Sequence, residues 1–200
     1  MARSNPERSQ ATRLALMDAA KDLFIKKGFA DTATPDIVRA AGVTRGALYH
    51  HFEDKKALLT AIVEREAEAV AQQIADMSVR AKSPSEALLR GAAAYFDAMN
   101  TPGRTRLLLL EAPAILGAAA TGAIDRGNAG STLETGLIEL LGPDANRDWI
   151  AATTNMLSAA FDCAALAIAG GADRSVYERS IAVLIDGLAG QNWQYRSKRE

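Results

Sequence analysis

"TPDIVRAAGVTRGALYHHF", residues 34–52, holds two short helical stretches on either side of Gly42. Thr34 suits a helix N-cap, Pro35 the first helical position, and Asp36 the positive end of the helix dipole. The first stretch is expected to stop at Ala41, with Gly42 making the turn. Thr44 then caps a second helix reaching His50 or His51. Two helices of this size joined by a three- or four-residue turn containing Gly form a helix-turn-helix. Such short helices are marginal alone, so Ile37, Val38, Ala41, Val43, Leu48 and Phe52 must bury against a neighbour.

That neighbour lies upstream. Residues 10–27 carry Leu14, Met17, Ala20 and Phe24 at spacings of three and four, one apolar stripe of a helix. Lys26 and Lys27 oppose its negative end, Gly28 can take the left-handed cap, and Phe29 can fold back. Downstream, Asp54 is the expected cap of a helix over 55–77, with Leu59, Ile62, Val63, Val70, Ile74 and Met77 as its stripe. "KSPSE" at 82–86 breaks the chain and opens a fifth helix that ends near "NTPG". A sixth covers about 104–116. The glycine-rich stretch 117–130 reads as a loose connection with a fragment of helix. A seventh spans about 131–141, and two long helices follow, 145–169 and 175–196. The fold class is therefore all-α, with about nine helices. An N-terminal three-helix domain covers 1–54, its first nine residues a flexible arm, and a larger helical domain covers 55–200.

Charge divides the same way. Residues 1–60 hold ten Lys/Arg against seven Asp/Glu, +3, and the remainder carries −4 within a net charge of −1. The basic part also holds both histidines, so an anionic partner is expected for that part alone. The single cysteine, Cys163, excludes an internal disulfide and fits a reducing cytoplasm. "MARSNPERSQATR" lacks the apolar core of a secretory signal. The longest unbroken apolar runs, such as "LLLL" at 107–110, fall short of the ~20 residues that span a bilayer, so no membrane partner is expected.

The residues 17–59, "MDAAKDLFIKKGFADTATPDIVRAAGVTRGALYHHFEDKKALL", resemble the TetR family of bacterial transcriptional regulators. The chain keeps the apolar first helix, the "GF" stop, "AAGV", "GALYHHF" and the lysine that starts the fourth helix. It has Ile37–Val38 where many relatives have "IA". The resemblance implies a homodimer that binds double-stranded DNA at a palindromic operator, as a repressor released by a small-molecule effector. By matching position it assigns DNA contacts to Thr34, Thr44, Arg45, Gly46, Ala47, Tyr49, His51 and Lys55, with His50 as a further candidate.

The residue types fit that assignment. The helix after the turn should lie in the major groove with its first residues at the base edges. Arg45 can pair bidentately with guanine, Gly46 allows close approach, and Ala47 suits a thymine methyl. The Tyr49 hydroxyl, and Thr34 and Thr44 with the helix-end amides beside them, can hold phosphates. Lys55 adds charge at the next helix start. Arg3, Arg8 and Arg13 can form an arm for the minor groove. Adjacent imidazoles do not face each other on a helix, so His50 and His51 make a poor metal site.

The larger domain is expected to sense and to dimerise. The final two helices can pair across a two-fold axis into a four-helix bundle, with Phe161, Leu166, Ile181, Leu184, Ile185 and Leu188 as interface candidates. A cavity for a mainly apolar effector can draw on Tyr95, Phe96, Met99, Leu109, Glu111, Trp149, Thr153, Met156, Phe161 and Asp162. Glu111 and Asp162 stand in apolar runs, where a buried carboxylate must be paired or neutral. An enzyme is disfavoured: Cys163 has no histidine in its half of the chain, and neither a phosphate-binding Gly loop nor zinc spacing occurs, so no cofactor is expected. An effector-independent architectural DNA binder and a transcriptional activator are the alternatives.

Overall fold

The computed structural model describes residues 5–79 and 81–190, and among them every regular element is helical. The helices are α1 (Asn5–Lys27), α2 (Thr34–Ala40), α3 (Arg45–His51), α4 (Lys55–Ser78), α5 (Pro84–Met99), α6 (Arg104–Arg106), α7 (Ala112–Leu116), α8 (Ala118–Arg126), α9 (Ala129–Leu141), α10 (Arg147–Ala169) and α11 (Arg174–Gly190). A π-helical turn, Leu107–Glu111, joins α6 to α7. The chain forms two compact units. One combines the chain up to Glu66 with Arg106–Thr121, and the other combines Ala67–Thr105 with the chain from Gly122 onward. This differs from a boundary at residue 54, because Leu58, Leu59, Ile62 and Val63 of α4 are buried within the first unit.

In the first unit α1 packs on α2 and α3, and α2 on α3. Leu16, Met17, Ala20, Phe24, Ile37, Leu48 and Phe52 are buried there. Two ion pairs tie α1 to α4: Lys21 to Glu66 at 2.7 Å and Arg65 to Asp18 at 2.8 Å. Glu66 is buried, so its pairing offsets the cost of removing the carboxylate from water. Gly28 closes α1 at φ 83°, its N–H donating to Phe24 O, and the Phe29 ring lies 5.3 Å from that of Phe24. Asp54 caps α4 by accepting from the Ala57 N–H at 2.6 Å.

Several expectations are corrected. Residues 5–9 are helical and not an arm, because Pro6 and Glu7 suit the first turn of α1. Arg8 and Arg13 therefore lie on α1, where Arg13 sits 5.1 Å over the Phe52 ring; Arg3 lies outside the described residues. Thr34 is the first helical residue of α2 and not its cap: the Ala33 carbonyl takes the first helical hydrogen bonds, from Asp36 and Ile37. The stretch 117–130 is mostly helix, α8 and the start of α9, since its alanines favour helix more than its glycines oppose it. This adds one helix to the expected set. The sixth helix carries a π turn because Pro113 has no N–H and its ring would press on the carbonyl four residues back. The Ala112 N–H reaches Leu107 O instead. The expected end of the last helix, beyond Gly190, lies outside the described residues.

In the second unit α5 packs on α9, α10 and α11, and α9 on α10 and α11. Tyr95, Phe96 and Phe161 form an aromatic cluster with centroids 5.6–5.9 Å apart.

Candidate nucleic-acid interface and ligand cavity

α3 buries only Leu48. Thr44 caps the helix from extended backbone, its Oγ1 accepting the Ala47 N–H at 3.2 Å. The threonine O–H remains available as a donor. Arg45, Gly46, Tyr49 and His50 are exposed, and Ala47 and His51 half-buried. Positions 45, 46, 49 and 50 share one outward face at helical spacing. The Arg45 guanidinium lies 5.5 Å from the Tyr49 ring centre, which orients it along that face.

Gly46 has a distinct signature. A β-carbon there would meet only Thr44 Oγ1, at 3.9 Å, and the residue is absent from the positive-φ glycines. Neither packing within the unit nor backbone shape requires glycine, yet glycine inside a helix costs roughly 0.5–1 kcal/mol relative to alanine.

His51 is held below the usual histidine range, first by burial, then by the neighbouring His50 and Arg13 charges. The two imidazoles meet edge-on at 5.2 Å. Among the described residues no group of three or more His, Cys, Asp or Glu is placed to hold a metal ion.

Lys55 does not present a free ammonium. Its Nζ donates to Phe29 O at 2.7 Å and Thr32 O at 2.8 Å, and lies 4.3 Å from the Phe29 ring centre. It fastens the loop between α1 and α2 to the start of α4. Sequence spacing carries no sign of this, because the loop carbonyls converge on Lys55 only once the unit is folded.

The second unit contains a cavity of about 360 Å³ that is partly open to solvent. Ile74, Leu88, Ala92, Leu133 and Phe161 supply apolar wall. The polar wall includes Tyr95, whose hydroxyl donates to Asp162 Oδ1 at 2.6 Å, and Ser158, whose hydroxyl donates to Asp125 Oδ2 at 3.0 Å. Burial pushes Asp162 up to about 6, opposed by the Tyr95 hydrogen bond and reinforced by the Asp125 charge. Burial also raises Asp125, opposed by the Ser158 hydrogen bond and the Arg126 charge. Burial, and then the Asp162 charge, push the Tyr95 hydroxyl far up. A β-carbon on Gly136 would sit 2.6 Å from Leu88 Cδ2, the outer end of that side chain, so any larger residue there must turn the leucine aside.

Of the expected pocket residues, Tyr95, Phe161 and Asp162 line this cavity. The others do not. Phe96 and Met99 are buried core on α5. Leu109 and Glu111 belong to the first unit, where Glu111 Oε1 lies 2.7 Å from Arg106 Nη2 without the alignment of a hydrogen bond. Trp149 and Thr153 are half-buried and outside the lining, and Met156 is 74% exposed. Sequence reasoning missed Asp125, Ser158 and Glu139. Asp125 and Glu139 lie on α8 and α9, the first in a stretch that reads as loose connection. Ser158 had a signal, since it precedes Asp162 by one helical turn.

Of the expected interface residues, Phe161, Ile181 and Ile185 are buried inside the unit, because they occupy the inward stripes of α10 and α11. Leu184 is exposed, and Leu166 and Leu188 are half-buried. Further apolar side chains left outside are Met156, Val176 and Val183. By length and composition alone α10 is also apolar enough to cross a membrane, a property that core helices share.

Two family models match the chain: bacterial regulatory proteins, tetR family, over residues 16–62, and tetracyclin repressor-like, C-terminal domain, over residues 85–191. The HTH-type transcriptional regulator AcrR of Shigella flexneri is 38% identical over 88 residues, 44% of this chain and 40% of that protein. The HTH-type transcriptional regulator TtgR of Pseudomonas putida is 44% identical over 64 residues, 32% of this chain and 30% of that protein. The chain thus matches less than half the length of these relatives. A solved TetR-family transcriptional regulator from Pectobacterium atrosepticum is 29% identical with a TM-score of 0.70, covering 93% of this chain and 95% of its own. With one model on the helix-turn-helix and the other on more than half of the chain, this protein belongs to the TetR family of bacterial regulatory proteins.

Proposed function

We propose that the protein is a cytoplasmic DNA-binding transcriptional regulator, with no enzymatic role. It acts as a homodimer on a palindromic operator, as a repressor released by a small molecule. The observation that carries this is the outward face of α3, where Arg45 and Tyr49 flank a helical glycine that the protein's own packing does not need. Thr44, Arg45, Gly46, Ala47, Tyr49, His50 and His51 contact DNA, and Thr34 adds its hydroxyl at the start of α2. Lys55 contributes by fixing the loop between α1 and α2 rather than by binding phosphate. The names of the relatives, transcriptional regulators, agree.

The exposed Met156, Val176, Val183 and Leu184 support a two-fold partner over α10 and α11. The cavity supports an effector and counts against an effector-independent architectural role. α4 contributes residues to both units, so a ligand that binds two arrangements of the second unit unequally changes operator affinity through it. Coupling of this kind is typically about 1–3 kcal/mol.

Selection of bound duplexes from a random pool tests the function. The expected product is a palindrome with half-site centres ~34–36 Å apart or a multiple of that, bound with steep salt dependence. Recovery of no salt-sensitive complex overturns the proposal.

A further inference from the structure

The cavity wall carries charge of one sign. Asp125, Asp162 and the exposed Glu139 line it, and among the described residues no Lys, Arg or His does. Arg126, whose charge acts on Asp125, lies outside the lining. Asp125 and Asp162 are near enough for the charge of one to raise the proton affinity of the other. Each takes a neutral hydroxyl, Ser158 for Asp125 and Tyr95 for Asp162. An ionised carboxylate offers about four acceptor positions, so each keeps room for a further donor beside its hydroxyl. Two half-buried carboxylates lining one cavity with no cation in its wall repel each other, and a positive charge there relieves both partial burial and repulsion. The remaining wall is mixed: Ile74, Leu88, Ala92, Leu133 and the Tyr95 and Phe161 rings, whose centres lie 5.6 Å apart, supply apolar and aromatic surface, and Ser78, Ser131, Thr132 and Thr135 add hydroxyl side chains. Aromatic rings beside acidic groups are the chemistry that recognises organic ammonium ions.

We propose that the cavity of the second unit binds an organic monocation with an apolar body, its ammonium group seated against Asp125 and Asp162. This rests on the chain being an effector-responsive regulator and names the chemical class of that effector. Fatty acids, phosphorylated compounds and other anions are excluded, because they add a further negative charge to an uncompensated pair. A neutral compound of the same shape gains the apolar contacts but leaves the carboxylates as they were.

Three probes of one size test this on the full chain without DNA, by calorimetry at pH 7.5: benzyltrimethylammonium, its carbon isostere neopentylbenzene, and the anion 3-phenylpropanoate. The expected order places the cation first by at least about tenfold, since the quaternary ammonium donates no hydrogen bond but alone of the three is attracted by the carboxylate charges and the ring quadrupoles. Asp162→Asn and Asp125→Asn should each remove most of the preference while a circular-dichroism melt shows the fold retained. Ile74→Trp, which fills the apolar wall and leaves the carboxylates in place, should weaken cation and neutral probe alike. Tighter binding of the neutral or anionic probe, a cation preference unchanged in both Asn variants, or no cation binding at millimolar probe overturns the assignment. Operator binding is measured separately on the same preparations. DNA binding without cation preference sinks the ligand class alone, and cation binding without any DNA complex sinks the regulatory role alone.

Discussion

The Arg45 guanidinium stacks at 5.5 Å from the centre of the Tyr49 ring, one helical turn further along α3. An exposed arginine otherwise samples many rotamers, and the ring narrows them before DNA arrives. Arg45→Ala is expected to relax preference at one base pair per half-site, by ~1–3 kcal/mol. Tyr49→Phe should retain most of that preference and Tyr49→Ala lose part of it, read in a binding competition over single-base operator variants. Unchanged preference in Arg45→Ala would remove Arg45 from base reading.

Gly46→Ala separates folding from binding. The methyl has room and the backbone is helical, so stability should rise by roughly 0.5–1 kcal/mol in urea unfolding. Operator affinity should fall at the same time. A variant that is both more stable and equally tight on DNA would show that no backbone approach occurs there.

Lys55→Met should destabilise the protein by about 2 kcal/mol, since it leaves the Phe29 and Thr32 carbonyls without their charged donor. Once compared at equal folded fraction, the salt slope of DNA binding should be nearly unchanged. A slope flattened by about one with stability intact would instead mark Lys55 as a phosphate ligand.

Asp162 gives stability a pH dependence of defined sign. Its carboxyl stands at about 6 in the folded chain against an ordinary 3.8, so the folded state holds the proton more tightly between those values. The favourable contribution is complete below pH 3.8 and is lost as pH rises through 6. The titratable groups lining the cavity beside it are Tyr95 on α5, Asp125 on α8 and Glu139 on α9, none of them a cation; Arg126 on α8 acts on Asp125 from outside the lining. Asp162→Asn should therefore raise Tm at pH 7.5, by on the order of 2 kcal/mol of stability, and flatten the profile between pH 4 and 7. A wild-type Tm that climbs steadily over that range, matched by the variant, would contradict the burial of this charge.

Val183 is 71% exposed on α11, so Val183→Glu should leave each chain folded. Size-exclusion chromatography should then show monomers, and operator affinity should drop with them. A dimer that survives the substitution places the two-fold contact elsewhere.

The helix-turn-helix was legible from sequence because its information is local. The Thr44 and Asp54 caps, the Gly28 and Gly42 turns and the spacing of Met17, Ala20 and Phe24 lie within a few residues of what they determine, whereas Leu14 of the same expected stripe is exposed and Leu16 is buried in its place. What stayed hidden depends on residues far apart in the chain. Lys55 meets Phe29 and Thr32 across 26 and 23 positions, and Tyr95 meets Asp162 across 67. Periodicity marks Phe161, Ile181 and Ile185 as apolar, and an apolar stripe serves a core or a partner equally well. Only Leu184 and its exposed neighbours show which side faces out.

Gly136 and Leu88 meet where a single methyl group has no room. Both residues line the chamber, so a substitution at Gly136 is felt first in the rotamer of one leucine of its wall. Exchanging Gly136 for alanine while trimming Leu88 would reshape that wall and leave Asp125 and Asp162 in place.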